Sequence, residues 1–182
     1  MKVTATDLPG AFLLDPIVYG DDRGFFMETR NEQTWGQLEI PSRFVQDNHS
    51  GSAEGVLRGI HYQLHRPQGK LLRVIRGAVV DVAVDLRKSS PHFGKWVAAQ
   101  LSAENRRMIW IPPGFGHGFR VTDGPAEIIY QCTDVYDGAD SRAIRWDDPD
   151  LAVDWNLPAG AAPILSPTDA DAPFLADAEV YP

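Results

Sequence analysis

The chain has 182 residues, a formal net charge of -8, 16 glycines, 14 prolines and one cysteine, Cys132. This length suits a single domain burying roughly 70% of the surface its unfolded chain would expose. The acidic balance and the absence of any Lys/Arg run exclude a nucleic-acid backbone or an anionic membrane as partner. One cysteine excludes an intramolecular disulfide and fits a reducing compartment.

No apolar run approaches the ~20 residues of a membrane span, and MKVTATDLPGAFLL lacks the apolar core and cleavage site of a leader. The expectation is a soluble cytoplasmic protein that takes a small ligand. Glycine and proline spread along the whole chain favour short strands joined by turns, so the composition leans all-β.

In chain order, Ala11 to Tyr19 reads as a strand closing in the turn GDDRG. Arg23, Phe25, Phe26 and Glu28 follow at once. An arginine and a glutamate flanking two aromatics can hold a phosphate and a planar ring, or the phenylalanines can belong to the core of an edge strand. Asn31 to Glu39 is the first helix expected, with Asn31 as N-cap and Pro41 as its stop. FVQDNHS (44–50) reads as a strand running into a polar turn that carries Gln46, Asp47 and Asn48.

GVLRGIHYQLHRPQGK (55–70) concentrates Arg58, His61, His65, Arg66 and Lys70 between apolar runs. Plain alternation puts His61 on one face with Gly59, Gln63 and His65, and Arg58 on the other with Ile60 and Tyr62. A glycine inside a strand marks a bulge or a close backbone approach, and a bulge near Gly59 reunites Arg58 with His61. A hairpin through Arg66, Pro67, Gln68 and Gly69 would return Lys70 to the same pocket.

From Leu71 to Leu86 one face carries Val80, Val82, Val84 and Leu86, expected in the core. The other carries Asp81, Ala83 and Asp85, whose two aspartates are expected to be solvated or paired with Arg73, Arg76 or Arg87, or else to orient a histidine. Strands follow at Lys95 to Leu101 and Met108 to Ile111. PPGFGHGF then sets Pro112, Gly114 and His117 in a PxGxxH pattern that resembles the second motif of the cupin barrels. In AEIIYQC, Ile128 and Tyr130 share a face, so Tyr130 reads either as core or as a pocket acid. In SPTD, Ser166 is an N-cap, Pro167 opens a short helix, and Asp169 occupies the capping-box position.

Taken in order, GDDRGFFMET, FVQDNHS, GVLRGIHYQ, QGKLLRVIRGAVVDVAVDLRKSSPHFGKW, LSAENRRMIWIPPGFGHGF, IIYQCTDVY, RAIRWDDPDLAVDW and LSPTDADAPFLADAE resemble the dTDP-4-dehydrorhamnose 3,5-epimerase family of the cupin superfamily over nearly the whole chain. The resemblance implies an all-β jelly-roll (cupin) barrel with a few short peripheral helices. It implies one domain over 1–182, with an N-terminal arm (about 1–50) exchanged in a homodimer and a short helical segment at about 166–178. The implied activity is epimerisation of dTDP-4-dehydro-6-deoxy-D-glucose at C3 and C5 through an enolate, with no cofactor and no metal. By the same resemblance His61 is the base, Asp169 its carboxylate partner, Lys70 the cation at the enolate oxygen and Tyr130 the acid on the opposite face. Arg23, Glu28, Gln46, Asp47, Asn48, Arg58 and His117 match substrate contacts, and Phe25 or Phe26 can flank the thymine. The chain departs from the family's common pattern at Ser141, where a Glu is usual, and at Thr168, where a Lys is usual.

Three other readings stand beside this one. A related enzyme can invert only C3 or only C5. A metal-dependent cupin would draw on His61, His65 and His117, yet HYQLH sets two imidazoles about 13 Å apart along a strand, unlike the close HxH of such sites. A non-catalytic sugar-nucleotide-binding jelly roll has no need of His61, Lys70, Tyr130 and Asp169 together.

Overall fold

The computed structural model describes residues 1–36, 40, 41 and 43–182. Eleven strands are present among them: β1 (Lys2–Ala5), β2 (Phe12–Asp15), β3 (Val18–Asp21), β4 (Gly24–Met27), β5 (Gln46–Ser52), β6 (Leu57–Gln63), β7 (Lys70–Asp85), β8 (Trp96–Ser102), β9 (Met108–Ile111), β10 (Phe115–Cys132) and β11 (Ser141–Ala143). Helix among the described residues is limited to α1 (Glu32–Trp35), α2 (Pro167–Ala170) and a 3-10 turn at Leu175–Asp177. Among the described residues no helix is long and apolar enough to cross a membrane. The all-β expectation therefore holds, with short peripheral helices.

Two long strands build the barrel. The first half of β7 pairs with β9 and with the second half of β10, while its second half pairs with β8 and the first half of β10. Both strands thus pass from one sheet to the other. Gly77 makes the turn in β7: its φ is +69°, and a Cβ there would sit 2.3 Å from the Asp123 carbonyl oxygen, so only glycine fits. β1, β2 and β5 complete the first sheet, and β6 and β11 the second. Between them lies a core that includes Leu72, Val79, Ala83, Leu101, Phe119 and Ile128.

The outer faces are covered too. Val80, Val82, Val84 and Leu86 turn away from the barrel interior and pack under Ile144, Leu151, Trp155 and Tyr181 of the C-terminal segment. Asp81 and Asp85 point the other way and are fully buried rather than solvated; Asp85 pairs with Arg87 and Asp81 with His117, the two other roles expected for these aspartates. Both faces of β7 are buried because a second layer of chain crosses the sheet.

Several local readings shift for plain reasons. Pro16, which has no N–H to donate, divides the first expected strand into β2 and β3. FVQDNHS does not turn; its polar residues form β5, paired to β10 from Cys132 to Ala126. Asn31 does accept from the Gln33 N–H at 3.0 Å at the start of α1, and Gln37, Leu38 and Glu39 of the expected helix lie outside the described residues. β6 and β7 are not a hairpin, because β10 lies between them in the sheet. The C-terminal segment is not one helix but the four residues of α2 and a separate 3-10 turn.

Candidate active site

The bulge anticipated at Gly59 is present and decides which side chains enter the barrel. His117 pairs with His61 and Phe119 with Arg58, so three steps along β6 oppose two along β10. Gly59 has φ +123°, and an added Cβ would lie 2.4 Å from Gly118 Cα. The backbones of β6 and β10 therefore approach too closely for any side chain at 59. The extra residue leaves Ile60 and Tyr62 in the outer core while Arg58 and His61 both line an open cleft.

That cleft has a volume of about 690 Å³, within the usual range for a small-molecule site. Lys70, Tyr130, Gln46, Asn48 and Asp169 also line it. Lys70 arrives at the first residue of β7, in direct register with Cys132 of β10, so it reaches the pocket of His61 from the opposite sheet.

His61 and Asp169 meet across 108 residues of sequence, with Nε2 to Oδ1 at 2.5 Å. The carboxylate is almost wholly buried, 3% exposed, whereas the imidazole is 40% exposed to the cleft. Asp169 Oδ1 also accepts from the Gly59 N–H at 3.3 Å, and Oδ2 accepts from the Ser166 hydroxyl at 2.7 Å. The Asp169 N–H in turn donates to Ser166 Oγ at 3.1 Å, so the capping role and the histidine-pairing role are both fulfilled. Burial alone would raise the carboxyl; the hydrogen bonds from His61, Ser166 and Gly59, with the His61 charge, outweigh it and hold Asp169 below its usual range. An ionised Asp169 accepts the Nε2 proton, which leaves Nδ1 of a neutral His61 as the basic nitrogen.

Burial pushes the Lys70 ammonium down, with Cys132 and Asp81 opposing the shift. The Tyr130 phenol is pushed up by burial and by Cys132 against the pull of Arg58, so it stays protonated at neutral pH and can donate. An imidazole paired with a carboxylate, a lysine amine and a protonated phenol thus share one concave space.

Other expected residues fall outside it. Strand alternation sends Asp47 to the far side of β5, where it accepts from Gln131 Nε2 at 2.8 Å. His117 is 8% exposed and sits inside the barrel, its Nε2 2.9 Å from Asp81 Oδ2. Arg23, Phe25, Phe26 and Glu28 stand on or beside the β3–β4 hairpin, away from the cleft of their own chain. Arg23 pairs with Asp21, and both phenylalanines are exposed rather than in the core. His65 lies past the end of β6 and bonds Asp140 at 2.7 Å. The three imidazoles of the metal reading thus each hold a separate aspartate, and among the described residues no three metal-ligating side chains converge.

Comparison with known proteins gives the family. A family model described as dTDP-4-dehydrorhamnose 3,5-epimerase matches residues 5–177. The chain belongs to this family. It is similar to the dTDP-4-dehydrorhamnose 3,5-epimerase of Pseudomonas aeruginosa, with 50% identity over the full length of both. Among solved structures it is similar to dTDP-6-deoxy-D-glucose-3,5-epimerase from Legionella pneumophila in complex with dTDP-4-keto-L-rhamnose. That match has a TM-score of 0.93 and 46% identity, covering 98% of this chain and 94% of that one. It is also similar to a 3'-monoepimerase from Streptomyces bikiniensis in complex with dTDP-quinovose, with TM-score 0.86 and 33% identity over 94% of this chain and 86% of that one.

Within this family member the cleft holds more than the sequence reading found. Tyr136, 63% exposed, lines it, as do Gln63, Gln68, Cys132 and Arg142. The period-two pattern of β10 already implied that Cys132 faces the same way as Tyr130. Nothing local signals Tyr136, which comes from the loop after β10. Ser141 and Thr168, the two departures from the family pattern, both line the cleft.

Proposed function

We propose that the chain epimerises dTDP-4-dehydro-6-deoxy-D-glucose at C3 and C5, giving dTDP-4-dehydro-L-rhamnose. The observation that carries this is the His61–Asp169 pair opening into one cleft with Lys70 and Tyr130. The C4 ketone acidifies the hydrogens at C3 and C5. His61 Nδ1 removes each in turn, and Asp169 stabilises the imidazolium that forms. The Lys70 ammonium faces the oxygen on which the enolate charge develops. Tyr130 returns a proton to the opposite face, which inverts the carbon. Base, cation and acid are all side chains of this protein.

Arg58, Gln46 and Asn48 bind the nucleotide diphosphate and sugar, and the exposed ring of Tyr136 offers a stacking surface for the base. Arg23, Glu28, Phe25 and Phe26 complete the cleft of a second copy. The exposure of the β3–β4 hairpin, with Tyr19 at 62% and Phe26 at 70%, supports a homodimer in which this part of the N-terminal arm (about 1–50) is covered by the neighbour.

Proton NMR of the substrate with the protein in deuterated water tests this reading. Loss of both the C3 and C5 hydrogens, and dTDP-L-rhamnose after addition of a 4-ketoreductase, is the expected outcome. Ser141 and Thr168, together with the likeness to a 3'-monoepimerase, favour single inversion as the second reading, and exchange at one carbon only would establish it. His61→Ala abolishes exchange, while Tyr130→Phe impairs epimerisation more than exchange. Full activity of the His61 variant would overturn the mechanism.

A further inference from the structure

The segment that carries Tyr136 is held by side chains rather than by a sheet. Residues 133–140, between β10 and β11, form neither helix nor strand, and among the described residues the backbone from Asp134 to Tyr136 makes no bond to other backbone. Three glutamine side chains take that place. Gln68 Nε2, from the connection after β6, donates to the Asp134 carbonyl at 2.8 Å. Gln46 Oε1, from β5, accepts from the Tyr136 N–H at 2.7 Å. Gln63, the last residue of β6, does both. Its Nε2 donates to the Val135 carbonyl at 3.2 Å and its Oε1 accepts from the Asp137 N–H at 2.7 Å, so the two bonds straddle Tyr136.

A primary amide carries donor and acceptor on one planar group, so it can pair with a carbonyl and an N–H two residues apart in the manner of a neighbouring strand. Gln63 is itself immobilised. It is 3% exposed, its Nε2 also donates to the Arg66 carbonyl at 2.9 Å, and its own carbonyl accepts from the Tyr181 hydroxyl at 2.6 Å. Tyr136, in contrast, is 63% exposed and lines the cleft, so its place there is set by the backbone it hangs from more than by packing around the ring.

We propose that Gln63 is a positioning residue for Tyr136: it clamps the backbone on both sides of that residue and so holds the ring where the base of a nucleoside diphosphate stacks. This deepens the epimerase reading of the cleft, on which it rests. The side-chain bonds of Gln63 go to the backbone of Arg66, Val135 and Asp137, and none reaches His61, Asp169, Lys70 or Tyr130. Gln63 therefore acts on nucleotide affinity and not on proton transfer.

The test is Gln63→Met, which keeps the length of the side chain and removes its hydrogen bonds, read by calorimetric titration with dTDP and by steady-state kinetics. The dTDP dissociation constant and KM are expected to rise about 5- to 20-fold, with kcat within about threefold of wild type. Tyr136→Ala removes the stacking ring itself and weakens dTDP by about 5- to 150-fold. On that background Gln63→Met adds less than about a twofold loss, because the ring it positions is gone. An equal loss on both backgrounds would assign Gln63 a merely structural role and overturn the proposal. No loss in the single variant, or a fall in kcat larger than the rise in KM, overturns it as well.

A second readout needs neither variant nor turnover. In the wild type the Tyr136 and Asp137 amides are expected to exchange with deuterated water at least ~50-fold more slowly than in an unstructured chain. Unprotected amides overturn the clamp even where Gln63→Met does not fold, and a wild type that does not bind dTDP overturns the proposal likewise. Failure of the epimerase reading shows separately, as absence of C3 and C5 exchange by a wild type that binds dTDP and protects both amides.

Discussion

Replacing Asp169 by asparagine separates the chemistry of the dyad from the packing around it. Three donors converge on the carboxylate: the His61 ring at 2.5 Å, the Ser166 hydroxyl at 2.7 Å and the Gly59 N–H at 3.3 Å. Asparagine preserves the shape but carries an NH2 where one acceptor oxygen stood. Turned toward His61, that group forces the imidazole into the opposite tautomer and opposes the Gly59 N–H; turned away, it meets the Ser166 hydroxyl and leaves His61 facing an uncharged amide oxygen. Either way the basic lone pair at Nδ1 loses its support. Losing a tautomer-fixing carboxylate from a His–Asp pair costs on the order of 10⁴ in kcat in the best-studied hydrolase example. The expectation here is a loss of ~10³–10⁴, with little change in KM because Asp169 stands behind the histidine.

The assay is deuterium exchange at C3 and C5 alongside coupled epimerisation. Ser166→Ala is the comparison: it removes the cap but leaves the carboxylate, and costs ~1 kcal/mol of stability with less than about a tenfold loss of rate. An Asp169→Asn protein within about tenfold of wild type would refute the assignment of His61 as a base oriented by Asp169.

Three further outcomes are expected. Gly59→Ala places a Cβ 2.4 Å from Gly118 Cα at a φ of +123°, so urea unfolding should show a loss above ~2 kcal/mol, and activity falls with it because the bulge sets both Arg58 and His61. If the β3–β4 hairpin serves the neighbouring cleft, mixing Arg23→Ala and His61→Ala proteins through dissociation restores about a quarter of the sites, since half the dimers are mixed and each has one intact site; no recovery places the hairpin on its own cleft. Acid weakens the fold through aspartates held below their usual range. Asp140 is held down at about 2: burial opposes the shift, and hydrogen bonds from His65 and Arg66 outweigh it. Asp169 and Asp85 are shifted in the same direction. A carboxyl lowered in the folded state binds its proton more tightly in the unfolded one. The stability these groups contribute is therefore full above pH ~4 and is lost as the pH falls toward about 2, which a circular-dichroism acid titration reads directly; a flat stability between these pH values would contradict the pairing.

The site was unevenly legible in the sequence. Gly59 inside a histidine-bearing strand announced the bulge, and the structure uses it to bring Arg58 and His61 to one face. Ser166 and Pro167 announced the start of α2. Both signals are local, because they depend on φ, on a missing Cβ or on a cap within three residues. Asp169 as the partner of His61 came only through family resemblance, since no periodicity links residues 108 apart. Lys70 was expected in the right pocket by the wrong path: the connection after β6 crosses to the other sheet, and β10 separates the two strands.

By itself, then, the sequence determined the all-β character, the bulge at Gly59 and the family to which the chain belongs, because these follow from short-range sterics and from motif order. The tertiary structure decided which face of each strand is buried and which charges meet. Asp81 reads as a solvent-facing residue in a half-buried strand until the C-terminal segment covers the opposite face and turns it into the barrel. Gln46 and Asn48 part from Asp47 only once β5 pairs with β10 and fixes which side is the cleft. Burial and electrostatics depend on what lies across the barrel, and that distance is set by sheet closure rather than by position along the chain.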